Sequence, residues 1–202
     1  AAGVGKITLL DHDKVELTNL QRQIMHSQNS IGKSKVESGK EFLQSINPTI
    51  TINTIAEKAT EASLKELLPS VNLVLDCTDN FATRQLINAA CFNQKVPLVS
   101  GSALKFDGQL SVFDFRSTSS PCYACLFSPE ERFEEVSCAS LGIFSPLVGI
   151  IGAMQAAQAL QVLIGFGQPL VGRMLLWNAL NTQIDEIRIT RNPTCKVCGS
   201  QH

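Results

Sequence analysis

Four of the seven cysteines form two pairs with the same spacing. Cys122 and Cys125 make one C-x-x-C pair, and Cys195 and Cys198 make the other. This spacing lets both sulfurs of a pair face one ion, and four thiolates suit tetrahedral zinc. An iron–sulfur cluster, a redox dithiol and unrelated free thiols are the alternatives. We favour structural zinc, because four cysteine ligands leave no open position for a reacting water.

The other three cysteines are interpreted separately. Cys77 falls at a strand end and Cys91 in a helix, where a buried thiol acts as a small hydrophobic group. Cys138 lies in EEVSCASLG, a stretch of small residues typical of a loop with an exposed thiol. From the residues alone a structural role is still favoured for Cys138, since no activating histidine is visibly paired with it.

Acidic residues follow two of the predicted strands. Asp11 comes directly after the apolar run at residues 7–10, and Asp79 follows the run at 71–75. Ligands of open α/β sheets bind beyond the carboxyl ends of the strands. Asp11 is therefore a candidate for hydrogen bonds to a ribose, and Asp79 is a candidate for a magnesium ion. The alternative is that these acids form solvated turns.

Two basic residues complete this polar set. The guanidinium of Arg22 and the ammonium of Lys35 could neutralise different phosphates of one nucleotide. Together with Asp11 and Asp79 they would give ribose, phosphate and metal contacts to one nucleotide, and the set favours a triphosphate. Scattered solvated charges are the alternative.

The elements that must position these residues alternate between strand and helix in the first half of the chain, which predicts a mainly parallel α/β sheet. After Gly101 no helix separates the last two strands, so we expect an antiparallel extension. The predicted strands are residues 7–10, 49–55, 71–75, 96–100, 109–115, 174–177 and 184–189. The predicted helices are residues 30–46, with Ser30 as N-cap, and residues 60–68, 81–93 and 147–164.

Composition excludes some classes of partner. A net charge of −1 and a pI near 6.3 give no general electrostatic reason for binding nucleic acid or anionic membranes. Segment 147–164 is apolar enough to raise the question of a membrane span, but Gln155, Gln158 and Gln161 interrupt it. We favour a helix buried against the sheet or a subunit partner. The N-terminus shows no signal-peptide pattern, and the cysteine content suits a reducing compartment, so we expect a cytoplasmic protein.

Several segments together resemble one family. They are DHDKVELTNLQRQ, GKSKVES, CTDN, the CYAC and CKVC pairs, and SPLVGIIGAMQAAQAL. In this order along the chain they are similar to the ThiF/MoeB/HesA family of ubiquitin-activating-enzyme-like adenylyltransferases. The resemblance implies a Rossmann-like, ATP-binding α/β fold with helices on both faces of the sheet, a homodimer and a structural zinc. It also implies activation of a ubiquitin-like sulfur carrier that ends in Gly-Gly, with a sulfurtransferase or cysteine desulfurase as sulfur donor.

The resemblance assigns roles to single positions. The family's ribose-binding acid falls on Asp11, its nucleotide-contacting asparagine and arginine fall on Asn19 and Arg22, and Gln23 supports them. The family's phosphate lysine, magnesium-linked aspartate and zinc ligands fall on Lys35, Asp79, Cys122, Cys125, Cys195 and Cys198. Cys138 falls where some members carry a cysteine that links covalently to the activated carrier, while other members adenylate without one.

The departure from the family pattern is at the N-terminus. Residues 1–5 are interpreted as the end of a helix, and no G-x-G-G-x-G turn precedes them. We therefore expect residues 1–202 to be a single ATP-binding domain that lacks its first strand, glycine-rich turn and first helix, and that belongs to a longer protein. The carrier could serve thiamine or molybdopterin synthesis. Two other classes stay open: an NAD-dependent oxidoreductase, and a non-catalytic zinc module that binds a ubiquitin-like protein.

Overall fold

The computed structural model describes residues 1–130 and 142–199, and the chain divides into two compact units, Ala1–Thr60 and Glu61–His202. The described residues form seven strands and five α-helices. The first unit contains β1 (Lys6–Leu10), α1 (Lys35–Ile46) and β2 (Thr51–Ile55). The second contains α2 (Glu61–Leu67), β3 (Val74–Asp76), α3 (Phe81–Gln94), β4 (Leu98–Leu104), β5 (Asp107–Phe113), α4 (Tyr123–Leu126), α5 (Ser145–Ile164), β6 (Arg173–Asn178) and β7 (Gln183–Arg188).

In the first unit, β1 and β2 pair in parallel, with Ile7 opposite Ile52. Helix α1 connects them, as expected for a parallel pair, which needs a crossover connection. The helix begins at Lys35, so the prediction of a helix from Ser30 is wrong. The residues before Lys35 are held differently: Gly32 has a φ of +85° and its N–H donates to the Val15 carbonyl oxygen at 2.8 Å. Residues 30–34 therefore form a turn that is hydrogen-bonded to residues 14–15, so their backbone groups are not available for a helix.

Residues 1–5 are not helical in this structure, and Gly3 has a φ of +88° in the segment that leads into β1. A positive φ suits the glycine turn that was expected there, and the helix end itself stays a prediction. The other predicted strands and helices of the described chain all have counterparts, with ends that differ by a few residues. Such shifts at element ends are expected, because the periodic pattern fades there.

The second unit is built on a five-stranded sheet in the order β3-β4-β5-β6-β7. The pair β3·β4 is parallel, and the three pairs from β4 to β7 are antiparallel. Parallel pairing is thus present in both units, while the antiparallel extension begins after β4, where the sequence predicted it. The predicted α/β class, with parallel strands extended by antiparallel ones, is confirmed.

Alternate residues of this sheet enter two separate cores. Leu98 and Phe113 belong to a core formed with α3 and the cysteine-rich segments, whereas Val99 and Val112 belong to a core formed with α5. Successive strand residues point to opposite faces, so each face needs its own cover. The prediction of helices on both faces is confirmed for this sheet.

Helix α5 packs closely on its face of the sheet. A Cβ atom built on Gly108 would lie 2.5 Å from Ile151 Cδ1, and one on Gly101 would lie 2.4 Å from Gln155 Cδ. By length and composition α5 could cross a bilayer. An 18-residue window of it has a mean hydropathy of 1.7 and is 28% buried, which is weak evidence since core helices pass the same test. The Gln155 amide nitrogen donates to the Asp76 carbonyl oxygen at 2.8 Å, as suits a helix packed on a sheet.

Candidate functional site

The acids that follow β1 hold the ammonium group of Lys35. Lys35 Nζ lies 2.7 Å from Asp13 Oδ2 and 3.9 Å from Asp11 Oδ2. The Lys35 side chain is 15% exposed, while the two carboxylates are much more open to solvent. The structure thus brings together two predicted residues, Asp11 and Lys35. It adds Asp13, to which the sequence assigned no role.

Backbone hydrogen bonds place these three side chains. The Asp11 N–H donates to the Ile55 carbonyl oxygen at 3.2 Å, which extends the pairing of β1 with β2. Asp11 Oδ1 then accepts a bond from the Asp13 N–H at 2.8 Å, and the Lys35 N–H donates to the Asp13 carbonyl oxygen at 2.9 Å. The hydrogen bond from the Lys35 side chain is the main reason why the pKa of Asp13 lies below its usual range. Asp13 therefore carries a negative charge at neutral pH.

The segment after Asp13 contains the three other predicted nucleotide contacts. Asn19 is buried, and its Oδ1 accepts a bond from the Glu16 N–H at 2.9 Å, so this oxygen is occupied in capping a short turn. Arg22 NH1 donates to the Thr18 carbonyl oxygen at 3.0 Å. Gln23 Oε1 is buried without a hydrogen-bond partner in the described chain. An unpaired buried oxygen is costly, which makes Gln23 a fitting contact for a donor on a ligand.

Two contacts that the sequence did not predict fix this segment on α1. His26 Nδ1 lies 2.9 Å from Ser38 Oγ, and Met25 Sδ lies 2.9 Å from where a Cβ on Gly39 would stand. Burial, and then repulsion by Lys35, lower the pKa of His26. The histidine is therefore neutral at pH 7, and its hydrogen bond to Ser38 attaches this segment to α1. A spacing of twelve residues between two polar side chains gives no recognisable sequence signal.

Asp79 lies in the second unit, in the loop between β3 and α3. Its side chain is exposed, and within residues 1–130 and 142–199 no hydrogen bond or ion pair holds its carboxylate. The next residue, Asn80, caps α3 by accepting a hydrogen bond from the Thr83 N–H at 2.9 Å. An exposed carboxylate at a strand end fits a hard cation, which prefers oxygen ligands. The assignment of magnesium to Asp79 stays a prediction.

The four cysteines of the C-x-x-C pairs converge in the second unit. Their sulfur atoms all lie within 4.8 Å of one another. The Cys122 Sγ lies 3.9 Å from the Cys125 Sγ and 3.6 Å from the Cys195 Sγ. The Sγ atoms of Cys125 and Cys198 are 3.3 Å apart. Zinc–sulfur bonds of about 2.3 Å at tetrahedral angles place sulfurs about 3.8 Å apart. The cluster therefore has the size and donor set of a four-thiolate metal site.

Backbone groups complete the surroundings of the four sulfurs. The Asn192 N–H donates to Cys125 Sγ at 3.4 Å, and the Val197 N–H donates to Cys195 Sγ at 3.5 Å. Such donors stabilise thiolates, and they orient ligands around a metal. Gly199 lets the second pair turn tightly, because a Cβ there would lie 2.5 Å from the Cys195 carbonyl oxygen.

The remaining cysteines have different positions. Cys91 is fully buried, as predicted, and burial raises its pKa to about 12. Cys77 was also predicted to be buried, but the residue is exposed, although desolvation of its sulfur raises the pKa to about 11. Cys138 lies outside the described residues.

Comparison with known proteins identifies the family. A model of the ThiF family matches residues 1–197. The molybdopterin-synthase adenylyltransferase of Escherichia coli is 45% identical over 201 residues, covering 98% of this chain and 79% of that protein. The sulfur carrier protein adenylyltransferase of Thermus thermophilus is 38% identical over 205 residues, covering 100% of this chain and 76% of that protein.

A solved structure shows the same fold. The crystal structure of E. coli MccB with ATP superposes with a TM-score of 0.81 at 23% identity, and the match covers 98% of this chain and 60% of that one. The chain thus spans about three fifths of the length of this structural relative. The resemblance found in the sequence is confirmed, and the chain belongs to the ThiF family.

Proposed function

We propose that the chain transfers adenylate from ATP to the C-terminal carboxylate of a ubiquitin-like sulfur carrier protein. The observation that carries the proposal is the 45% identity with a molybdopterin-synthase adenylyltransferase along almost the whole chain. The T. thermophilus relative is named for the same transfer to a sulfur carrier protein. These names confirm the predicted enzyme class, and they argue against an NAD-dependent oxidoreductase.

The first unit supplies the proposed contacts to ATP. Asp11 holds the ribose, Asn19 and Arg22 contact the nucleotide with the support of Gln23, and Lys35 lies near the α-phosphate. Lys35 is already paired with the carboxylate of Asp13 at 2.7 Å. An arriving phosphate therefore exchanges one anionic partner of the ammonium for another, which avoids leaving a partly buried cation unpaired.

The proposed reaction is a substitution at the α-phosphorus. A carboxylate oxygen of the carrier's terminal glycine forms a bond to this phosphorus while the bond to the bridging oxygen breaks. The electron pair of that bond leaves with pyrophosphate, and the product is an acyl-adenylate that a sulfur donor can attack. The protein contributes orientation and the neutralisation of charge, so fixed side chains matter more than acid–base chemistry.

Two metals fit the residues that are present. Asp79 would hold magnesium, which supplies charge neutralisation on the phosphates and the departing pyrophosphate. Cys122, Cys125, Cys195 and Cys198 would hold zinc, and their closed set of four sulfurs suits a structural ion. Zinc would then link the end of the chain to its middle.

The finer parts of the proposal concern partners. We include the Gly-Gly end of the carrier, which is ThiS-like or MoaD-like, a homodimer, a sulfurtransferase or cysteine desulfurase as sulfur donor, and a cytoplasmic location. The names of the relatives support a sulfur carrier in general. The non-catalytic zinc module is the remaining alternative, and it predicts carrier binding without turnover.

The test is exchange of labelled pyrophosphate into ATP by the full-length protein in the presence of a Gly-Gly carrier. We expect exchange in the wild type and a loss of about 100-fold or more in Asp79→Ala, a typical cost of removing transition-state charge stabilisation. Asp185→Ala is the matched control, because Asp185 is an exposed acid on β7. It should retain full exchange.

Two results would contradict the assignment. Normal exchange in Asp79→Ala would remove Asp79 from the reaction, and carrier binding without any exchange in the wild type would favour the non-catalytic module. Cys138→Ser should keep exchange even if sulfur transfer is blocked, since adenylation needs no thiol. Loss of exchange in that variant would give Cys138 a role in adenylation itself.

A further inference from the structure

The backbone next to Asp79 is held by hydrogen bonds to a buried acid, Asp76. Asp76, the last residue of β3, is 1% exposed. Its Oδ1 accepts hydrogen bonds from the Thr78 N–H at 3.0 Å and from Thr78 Oγ1 at 2.7 Å. Its Oδ2 accepts a bond from Ser100 Oγ at 3.0 Å. One carboxylate therefore ties the residue before Asp79 to the neighbouring strand β4.

A buried arginine closes the same network. Arg84, on α3, is 7% exposed, and its NH1 donates to Asp76 Oδ2 and to Ser100 Oγ, both at 3.2 Å. Its NH2 donates to the Thr78 carbonyl oxygen and, at 3.1 Å, to the Gly101 carbonyl oxygen. Both terminal nitrogens are thus fully occupied inside the protein. Arg84 consequently has no terminal N–H left for a substrate.

The other side of Asp79 is held as well. The Asn80 carbonyl oxygen accepts a bond from the Arg84 N–H at 3.3 Å, and the Asn80 side chain caps α3. Both neighbours of Asp79 are therefore fixed, while its own carboxylate is exposed and unpaired among the described residues. The Asp79 carboxylate is thus carried on a fixed backbone and makes no hydrogen bond to another described residue, so it is free to bind a ligand.

We infer that Arg84, itself held by Asp76, is a positioning residue that fixes the Thr78–Asn80 backbone so that the Asp79 carboxylate is preset for magnesium. The inference rests on the proposed function of Asp79. A lysine at position 84 keeps the charge facing Asp76. A compact ammonium cannot reproduce the planar fork that reaches two carbonyl oxygens and a carboxylate together.

The first measurement needs neither metal nor ATP. Amide hydrogen exchange of residues 77–80 should become faster in Arg84→Lys than in the wild type, by about tenfold, which corresponds to the free energy of fixing one backbone residue. Arg116→Lys is the matched control, because Arg116 also pairs with an aspartate, Asp114 at 2.7 Å, but its own side chain is 55% exposed. Its exchange at residues 77–80 should equal that of the wild type.

The second measurement is the magnesium dependence of pyrophosphate exchange. We expect the half-saturating magnesium concentration to rise about tenfold in Arg84→Lys and to stay unchanged in Arg116→Lys. A general loss of folded protein would lower the maximal rate and leave this concentration unchanged. Thr78→Val removes only the hydroxyl bond to Asp76 and should shift both measurements in the same direction, which keeps the test decisive if Arg84→Lys does not fold.

The outcomes separate the inference from the proposed function. A wild type that exchanges pyrophosphate, with folded Arg84→Lys and Thr78→Val proteins that keep wild-type magnesium dependence and amide protection, overturns the inference alone. A wild type without exchange overturns the proposed function and this inference with it. Faster amide exchange together with a raised magnesium requirement supports the positioning role.

Discussion

Replacing Asp76 by asparagine should destabilise the second unit far more than any surface substitution. Asp76→Asn keeps the shape of the side chain but removes its charge, and the Arg84 guanidinium, 7% exposed, then stays buried without a counter-ion. Breaking a buried ion pair from one side typically costs about 3–5 kcal/mol. The Asp76 carboxylate accepts four hydrogen bonds, and two of them come from Thr78, so we expect a value within that range.

The assay can report on the sheet itself. Trp177, the single tryptophan, lies in β6 of the same five-stranded sheet, so its fluorescence follows the unfolding of the second unit in urea. Asp114→Asn is the control, since it breaks a pair in which Arg116 is 55% exposed, and exposed pairs contribute about 0–1 kcal/mol. A loss below about 1 kcal/mol in Asp76→Asn would refute the view that this pair anchors the unit.

Two further predictions concern the metal cluster and pH. Gly199→Ala forces a Cβ to within 2.5 Å of a carbonyl oxygen, so it should weaken metal retention against a chromophoric chelator about tenfold or more. The control Gly149→Ala should not, because a Cβ there meets nothing within 4 Å. Equal retention in the two variants would contradict the need for a glycine turn at residue 199. Because folding lowers the pKa of His26 from 6.5, the unfolded chain binds more protons and stability falls as the pH drops below that value. His26→Gln should lose less stability than wild type between about pH 7 and pH 5 by urea unfolding. Equal losses in the two proteins would show that His26 does not titrate as described.

The cysteine cluster and the acids that follow the strands were predictable because their signals are local. A two-residue gap sets the separation of two cysteine sulfurs within one turn, whatever the rest of the fold does. In the same way, Asp11 directly follows an apolar strand pattern and Asp79 comes four residues after the end of another, so the sequence places both beyond the carboxyl ends of strands. The structure brings the two cysteine pairs together although 69 residues lie between Cys125 and Cys195.

The buried network could not be predicted, because its partners are chosen by packing in three dimensions. Asp76 and Asp79 are only three positions apart in the polar segment after the apolar run, yet the structure buries Asp76 and exposes Asp79. Burial of a charge depends on a partner such as Arg84, eight residues away on the next helix. The pairing of Lys35 with Asp13 has the same origin, since it depends on where the turn at Gly32 lets α1 begin.

The most direct test of the central claim is the mass of the carrier after incubation with ATP, magnesium and the full-length protein. The account predicts a carrier heavier by one AMP group, attached to the carboxylate of its last glycine and absent when the final glycine is deleted. A carrier that binds the protein but gains no AMP, or gains it at another position, would contradict the account.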